Sequence, residues 1–171
     1  MAYVFHTPHL GMQPIAATLP ASSAAGLSTP GPWLGDIHRA QDPVYGNGEF
    51  IYLQGVANTA LGSWVVYNAD DFSTVLLGAD MIGPVAVAMS ANVAGQYGWY
   101  QIQGKAIGKV LSGFVDNANV YATATAGSVD DAVVAGDRVK NAKGASAIGT
   151  PSAGLAEFEI QRPFVDDALA A

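Results

Sequence analysis

The sequence predicts an all-β protein: an antiparallel β-sandwich or barrel, with a jelly-roll order open to it, behind a long irregular N-terminal arm. Three observations predict it. Short runs of β-branched and aromatic residues recur beyond residue 48, and such residues suit a pleated, half-buried surface. Turn residues punctuate those runs at short intervals. Six of the nine prolines, Pro8, Pro14, Pro20, Pro30, Pro32 and Pro43, fall within residues 1–48.

The arm comes first. Proline cannot donate to a ladder and pushes its predecessor toward extended geometry, so residues 1–48 are expected to be extended or looped. The segment also carries Tyr3, Phe5, Leu10, Met12, Ile15, Leu19, Leu27, Trp33 and Leu34. A solvated linker has no use for so many apolar groups. They suit an arm laid across a surface, its own or a neighbour's.

Residues 49–171 are expected to form the β domain. Phe50–Leu53 and Trp64–Tyr67 are its first strands. Val85, Val87 and Met89 alternate with small residues, and the stretch from Tyr97 to Gln103 alternates as well. In the last segment Ala156, Phe158 and Ile160 share one face while Glu157, Glu159 and Gln161 share the other. Gly55, Gly62, Asn68–Asp71, Gly78, Gly83-Pro84, Gly95, Gly104, Gly113, Asp116-Asn117, Gly127, Gly136 and Gly144 mark the turns. Asp130–Ala135 is the one stretch that suits a short helix.

Composition narrows the functions. Only 12% of the 171 residues are charged, about half the ~25% usual in globular domains. Without cysteine there is no disulfide scaffold and no thiolate site. Seven Lys+Arg stand against fourteen Asp+Glu, and the cations are scattered, so no basic face is available for nucleic acid. No membrane segment is expected either. The uncharged N-terminal stretch lacks a basic start and a continuous apolar centre. The uncharged run Met81–Gly104 alternates and is broken by Gly83, Pro84, Ser90, Asn92, Gly95 and Gln96.

Few constellations could carry chemistry. His6 and His9 have helical spacing, but Pro8 lies between them and no acid is near. His38 follows Asp36, yet no G-x-S-x-G elbow supplies a nucleophile. No phosphate-binding glycine motif occurs, and Gly46-Asn47-Gly48 suits a tight turn. Asp70-Asp71, Asp130-Asp131 and Asp166-Asp167 lack the spaced ligands of a calcium loop. Adjacent carboxylates on a strand also face opposite ways. No enzyme, metal or cofactor is expected.

The aromatics are the better candidates. Tyr97 and Trp99 share a strand face with Gln101, and Tyr100 points the other way. Trp and Tyr are enriched at interface hot spots, and interface cores are poor in charge. Tyr3, Phe5, Trp33, Leu34, Tyr97, Trp99 and Tyr100 are therefore the expected interface residues.

Three segments carry a resemblance. They are Gly48–Gly55, Gly95–Ala106 with its Gly98-Trp99-Tyr100-Gln101, and Val120–Asp131 together with the closing Ala153–Phe158. Their order resembles the capsid decoration, or cement, proteins of tailed bacteriophages, over about residues 46–162 and not the arm. The resemblance implies a non-enzymatic virion protein, made in the host cytoplasm and seated on the capsid exterior. Its implied partners are the major capsid protein and two further copies of itself in a homotrimer. The alternatives are another structural head or tail protein of a phage and a carbohydrate-binding β-sandwich module using Tyr97, Trp99 and the acidic pairs.

Overall fold

The computed structural model describes residues 3–6, 15, 18–20 and 32–166, with Thr18–Pro20 described by backbone alone. Twelve strands follow one another, with no helix among the described residues. They are β1 Val4–Phe5, β2 Thr18–Pro20, β3 Ile37–Asp42, β4 Gly46–Gln54, β5 Trp64–Tyr67, β6 Thr74–Leu76, β7 Ile82–Ala88, β8 Gln96–Lys109, β9 Asn119–Ala122, β10 Val129–Asp130, β11 Arg138–Gly144 and β12 Leu155–Asp166. All pair antiparallel, in the order β1-β3-β4-β8-β7-β12-β11-β9-β10, with β2 on β8 and with β5 between β6 and β7. The predicted all-β antiparallel class is the class observed.

β8 organises the sheet. Tyr97–Gln103 pairs with β4, and Gln103–Lys109 pairs with β12. Beyond Gln103 and Gln161 the strands β8 and β12 part, and β7 pairs with each. Val87 and Ala88 oppose Gln101 and Tyr100, while Ile82–Pro84 oppose Phe164–Asp166.

Three apolar layers result. Phe50, Tyr52, Met89 and Trp99 pack outward under Tyr3, Phe5, Ile15 and Leu34 of the N-terminal segment. Ile51, Leu53, Tyr100 and Ile102 pack inward against Val65, Ala86 and Ala88. The other face of β5 and β7, with Trp64, Val85 and Val87, meets Phe158, Ile160 and Val165 of β12. Phe50-Ile51-Tyr52-Leu53 is a continuous apolar run because both faces of β4 are covered.

Three expectations change. Ile37–Asp42 lies on the arm side of the boundary at residue 48, yet it is a full strand against β4. The carboxylate of Asp42 accepts from the amides of Val44 and Tyr45 at 2.7 and 2.9 Å, which turns the chain there. Gly46-Asn47-Gly48 is consequently ladder and not the turn itself, with Asn47 and Gly48 opposite Gln41 and Ala40. Asp130–Ala135 forms no helix. Val129–Asp130 pairs with β9, and Asp131 is held by the Val115 amide at 2.9 Å, which leaves too few residues to nucleate a helix.

Candidate interaction surfaces

Two surfaces lie on the outer face of β4 and β8: the seat of the N-terminal segment and a polar groove beside it.

In the seat, Val4 and Phe5 extend the sheet past β3, opposite Gln41 and Ala40. The Tyr3 ring meets Phe50 edge-on at 4.8 Å, and its hydroxyl donates to the Lys105 carbonyl at 3.0 Å. Phe5 lies 5.1 Å from Trp99 and 5.9 Å from His38, and Tyr52 closes the cluster 5.2 Å from Trp99. Burial pushes the Tyr3 phenol up to about 12, a rise partly offset by the hydrogen bond from Gln101.

The seven expected interface residues divide accordingly. Trp99 and Tyr100 are wholly buried, one under the segment and one in the inner layer, so neither offers a surface to a partner. Their expected role is corrected: alternation puts them on opposite faces, and both faces are covered. Tyr3, Phe5, Leu34 and Tyr97 are half-buried in the seat. Trp33 is 60% exposed and open to contact. On β1, on β3 and in the turn after β3, Val4, Ile37 and Val44 are exposed too. Of the arm's other named residues, Leu10, Met12 and Leu27 lie outside the described residues, as does His9 of the histidine pair; for Leu19 only the backbone is described.

The groove follows a row of paired residues across the sheet. Arg39 opposes Glu49, Glu49 opposes Gln103, and Gln103 opposes Gln161. Irregularities line up along this row. The β4 ladder shifts between Glu49 and Phe50, and the β11 ladder between Lys140 and Ala142. Gly104, Asn141 and Arg162 all take positive φ. Such bulges bend a strand and re-aim its side chains. At Gly104, φ +103, a Cβ would stand 2.4 Å from the Asn47 carbonyl oxygen, so the two backbones meet there.

Glu49 sits between Arg39, at 2.9 Å, and Arg162, at 3.0 Å. The hydrogen bond from Arg162 is the main cause holding its carboxyl below the usual 4.5; burial opposes this and Arg39 adds to it. One cavity of about 450 Å³ opens on this trio beside His6 and Asn47, and a neighbouring one of about 550 Å³ opens on Arg138, Asn141 and Lys143. Gln103 and Gln161 line both.

Beneath the groove, the buried Gln101 amide donates to the carbonyls of Gln103 and Lys105 at 3.1 and 3.2 Å. Among the described residues no group of three His, Cys, Asp or Glu is placed to hold a metal ion. The Asp70-Asp71 pair makes a turn, in which Asp71 accepts from both the amide and the hydroxyl of Ser73. On the face of β12 shared by Glu157, Glu159 and Gln161, Glu157 pairs with Lys105 at 2.7 Å.

Neither composition nor motif singles out Arg39, Glu49 and Arg162, because only the register brings them together. The alternation of Gln101 and Gln103 is its one visible trace. No family model, no curated protein and no solved structure matches the chain.

Proposed function

We propose that this protein is a non-enzymatic structural subunit of a phage particle, a cement protein that attaches to the capsid exterior and joins neighbouring subunits. One observation carries the proposal: large apolar side chains, Trp33 at 60% exposure foremost, stand exposed in a chain that is only 12% charged. Tryptophan is enriched at protein interfaces, and the cores of interfaces are poor in charge. The N-terminal segment supports it, because it binds by strand addition and aromatic anchoring, a mode equally suited to contacts between subunits. Many weak contacts made at once give firm attachment through effective concentration. Self-association into a trimer would match a closed cyclic seat on a shell.

The test has two parts. Sedimentation of the purified chain at several concentrations is expected to give a trimer. An antibody to the chain, applied to particles from cells carrying its genome, is expected to label head exteriors. A monomer at every concentration together with unlabelled heads overturns the proposal. Label confined to tails makes it a tail protein. Binding on a glycan array with no label on particles makes it a carbohydrate module.

A further inference from the structure

The polar groove contains an imbalance of charge. It is lined by four of the seven Lys and Arg side chains, Arg39, Arg138, Lys143 and Arg162, but by only two of the fourteen acids, Glu49 and Glu159. The chain as a whole carries −7. The pairing locates the surplus. Glu49 offers one negative charge to two guanidinium groups, and Lys143 is matched by Glu159 at 3.4 Å. Arg138 donates to the neutral amide of Asn119 at 2.9 Å and has no carboxylate partner among the described residues. One uncompensated positive charge therefore stands at each end, with the Gln103–Gln161 pair between them.

From these features we infer that the groove binds an extended, acidic polypeptide segment of a partner protein, with a carboxylate near each end. The row from β4 through β8, β12 and β11 to β9 spans about 19 Å at the usual strand spacing, the length of about six extended residues. Guanidinium groups match carboxylates in bidentate fashion. The carboxamides between them can donate to and accept from a peptide backbone. No Phe, Tyr or Trp ring lines either cavity to stack on a sugar, and a surplus of two charges is too small for a phosphate backbone. The groove's own acids would repel uniform negative charge and favour a spaced pattern.

The proposal rests on the structural-subunit function only for where such a segment comes from, namely the shell protein. The test uses the full chain and a short fluorescent peptide, glutamate at both ends with a Ser-Gly spacer, read by anisotropy. The peptide is expected to bind, and its glutamine counterpart to bind at least about tenfold more weakly. Arg138→Gln and Arg162→Gln, each checked for a retained cooperative melting transition above the assay temperature, are expected to weaken binding about tenfold, and Lys109→Gln, outside the groove, to leave it unchanged. Equal binding of the two peptides, or no effect of either arginine variant, overturns the proposal. Binding of polygalacturonate in place of the peptide overturns it in favour of an anionic saccharide. Attachment to phage heads that survives in both arginine variants, with no peptide binding, defeats the groove alone. Peptide binding by a chain that never reaches heads defeats the capsid function and leaves the groove standing.

Discussion

Tyr3 and Lys105 are 102 residues apart in sequence, yet the Tyr3 hydroxyl donates to the Lys105 carbonyl at 3.0 Å. That bond ties the start of the N-terminal segment to the point where β8 leaves β4 for β12. The same hydroxyl accepts from Gln101, whose amide also reaches Lys105. The segment is thus a layer of the fold. Without it Phe50, Tyr52 and Trp99 would face water.

The seated Tyr3 phenol has its pKa pushed up to about 12, from an ordinary value of 10.0. Docking favours the neutral phenol, so its stabilisation is complete below pH 10 and lost as pH rises toward 12. Tyr52 and Tyr100 are pushed up to about 12 as well, by burial. A spectrophotometric titration is expected to show a late tyrosinate phase near pH 12. Tyr3→Phe should shrink that phase and cost about 1 kcal/mol of stability.

Gln101 faces acceptors with its amide nitrogen: two carbonyls and a phenol oxygen. Gln101→Glu keeps the shape and turns the donor into a third kind of acceptor in a buried place. The expected loss exceeds about 3 kcal/mol by denaturant unfolding at neutral pH. Gln101→Met, which removes the donor without adding charge, should cost less, since the Lys105 carbonyl keeps the Tyr3 hydroxyl.

The Glu49 carboxyl is held below its usual 4.5 by Arg162 and Arg39. A depressed folded value means the contribution is complete above 4.5 and lost as pH falls through the lower folded value. Glu49→Gln is expected to cost about 1 kcal/mol at neutral pH, discounted for the exposure of both guanidinium groups. The melting curves of variant and parent should converge in acid.

Two tryptophans should behave in opposite ways. Trp99→Ala empties the aromatic cluster and is expected to cost about 4 kcal/mol. Trp33→Ala changes a side chain that is 60% exposed and should alter the melting temperature little; under the proposed function it should weaken attachment to phage heads. Thermal melting and co-sedimentation with heads separate the two effects.

Gly104→Ala would set a Cβ 2.4 Å from the Asn47 oxygen at a φ of +103. Both conflicts involve backbone, so the expected loss is about 3 kcal/mol or more, measured by urea unfolding.

Much of the sheet was legible because its strands are locally explicit. The apolar run Trp64–Tyr67 coincides with β5 residue for residue, and the alternation in Ala156–Gln161 lies wholly within β12. The β11 strand is not legible in the sequence because Arg138–Gly144 shows cations and turn residues, and its inward Val139 and Ala142 are put out of phase by the bulge. β3 was hidden by the proline count, although Pro43 lies in the turn that follows it. The interface residues divided for a related reason. Alternation says which side chains share a face, but only the long-range packing of the N-terminal segment decides that the face holding Trp99 is closed.

The sharing of β8 between β4 and β12 also governs when the chain can fold. Its first half can close on β4 as soon as residue 103 is made, but Gln103–Lys109 must wait for Leu155–Gln161. Contacts this distant along the chain form slowly, and an incomplete strand edge invites pairing with another chain. During synthesis, then, the growing chain carries an open edge until its last strand arrives.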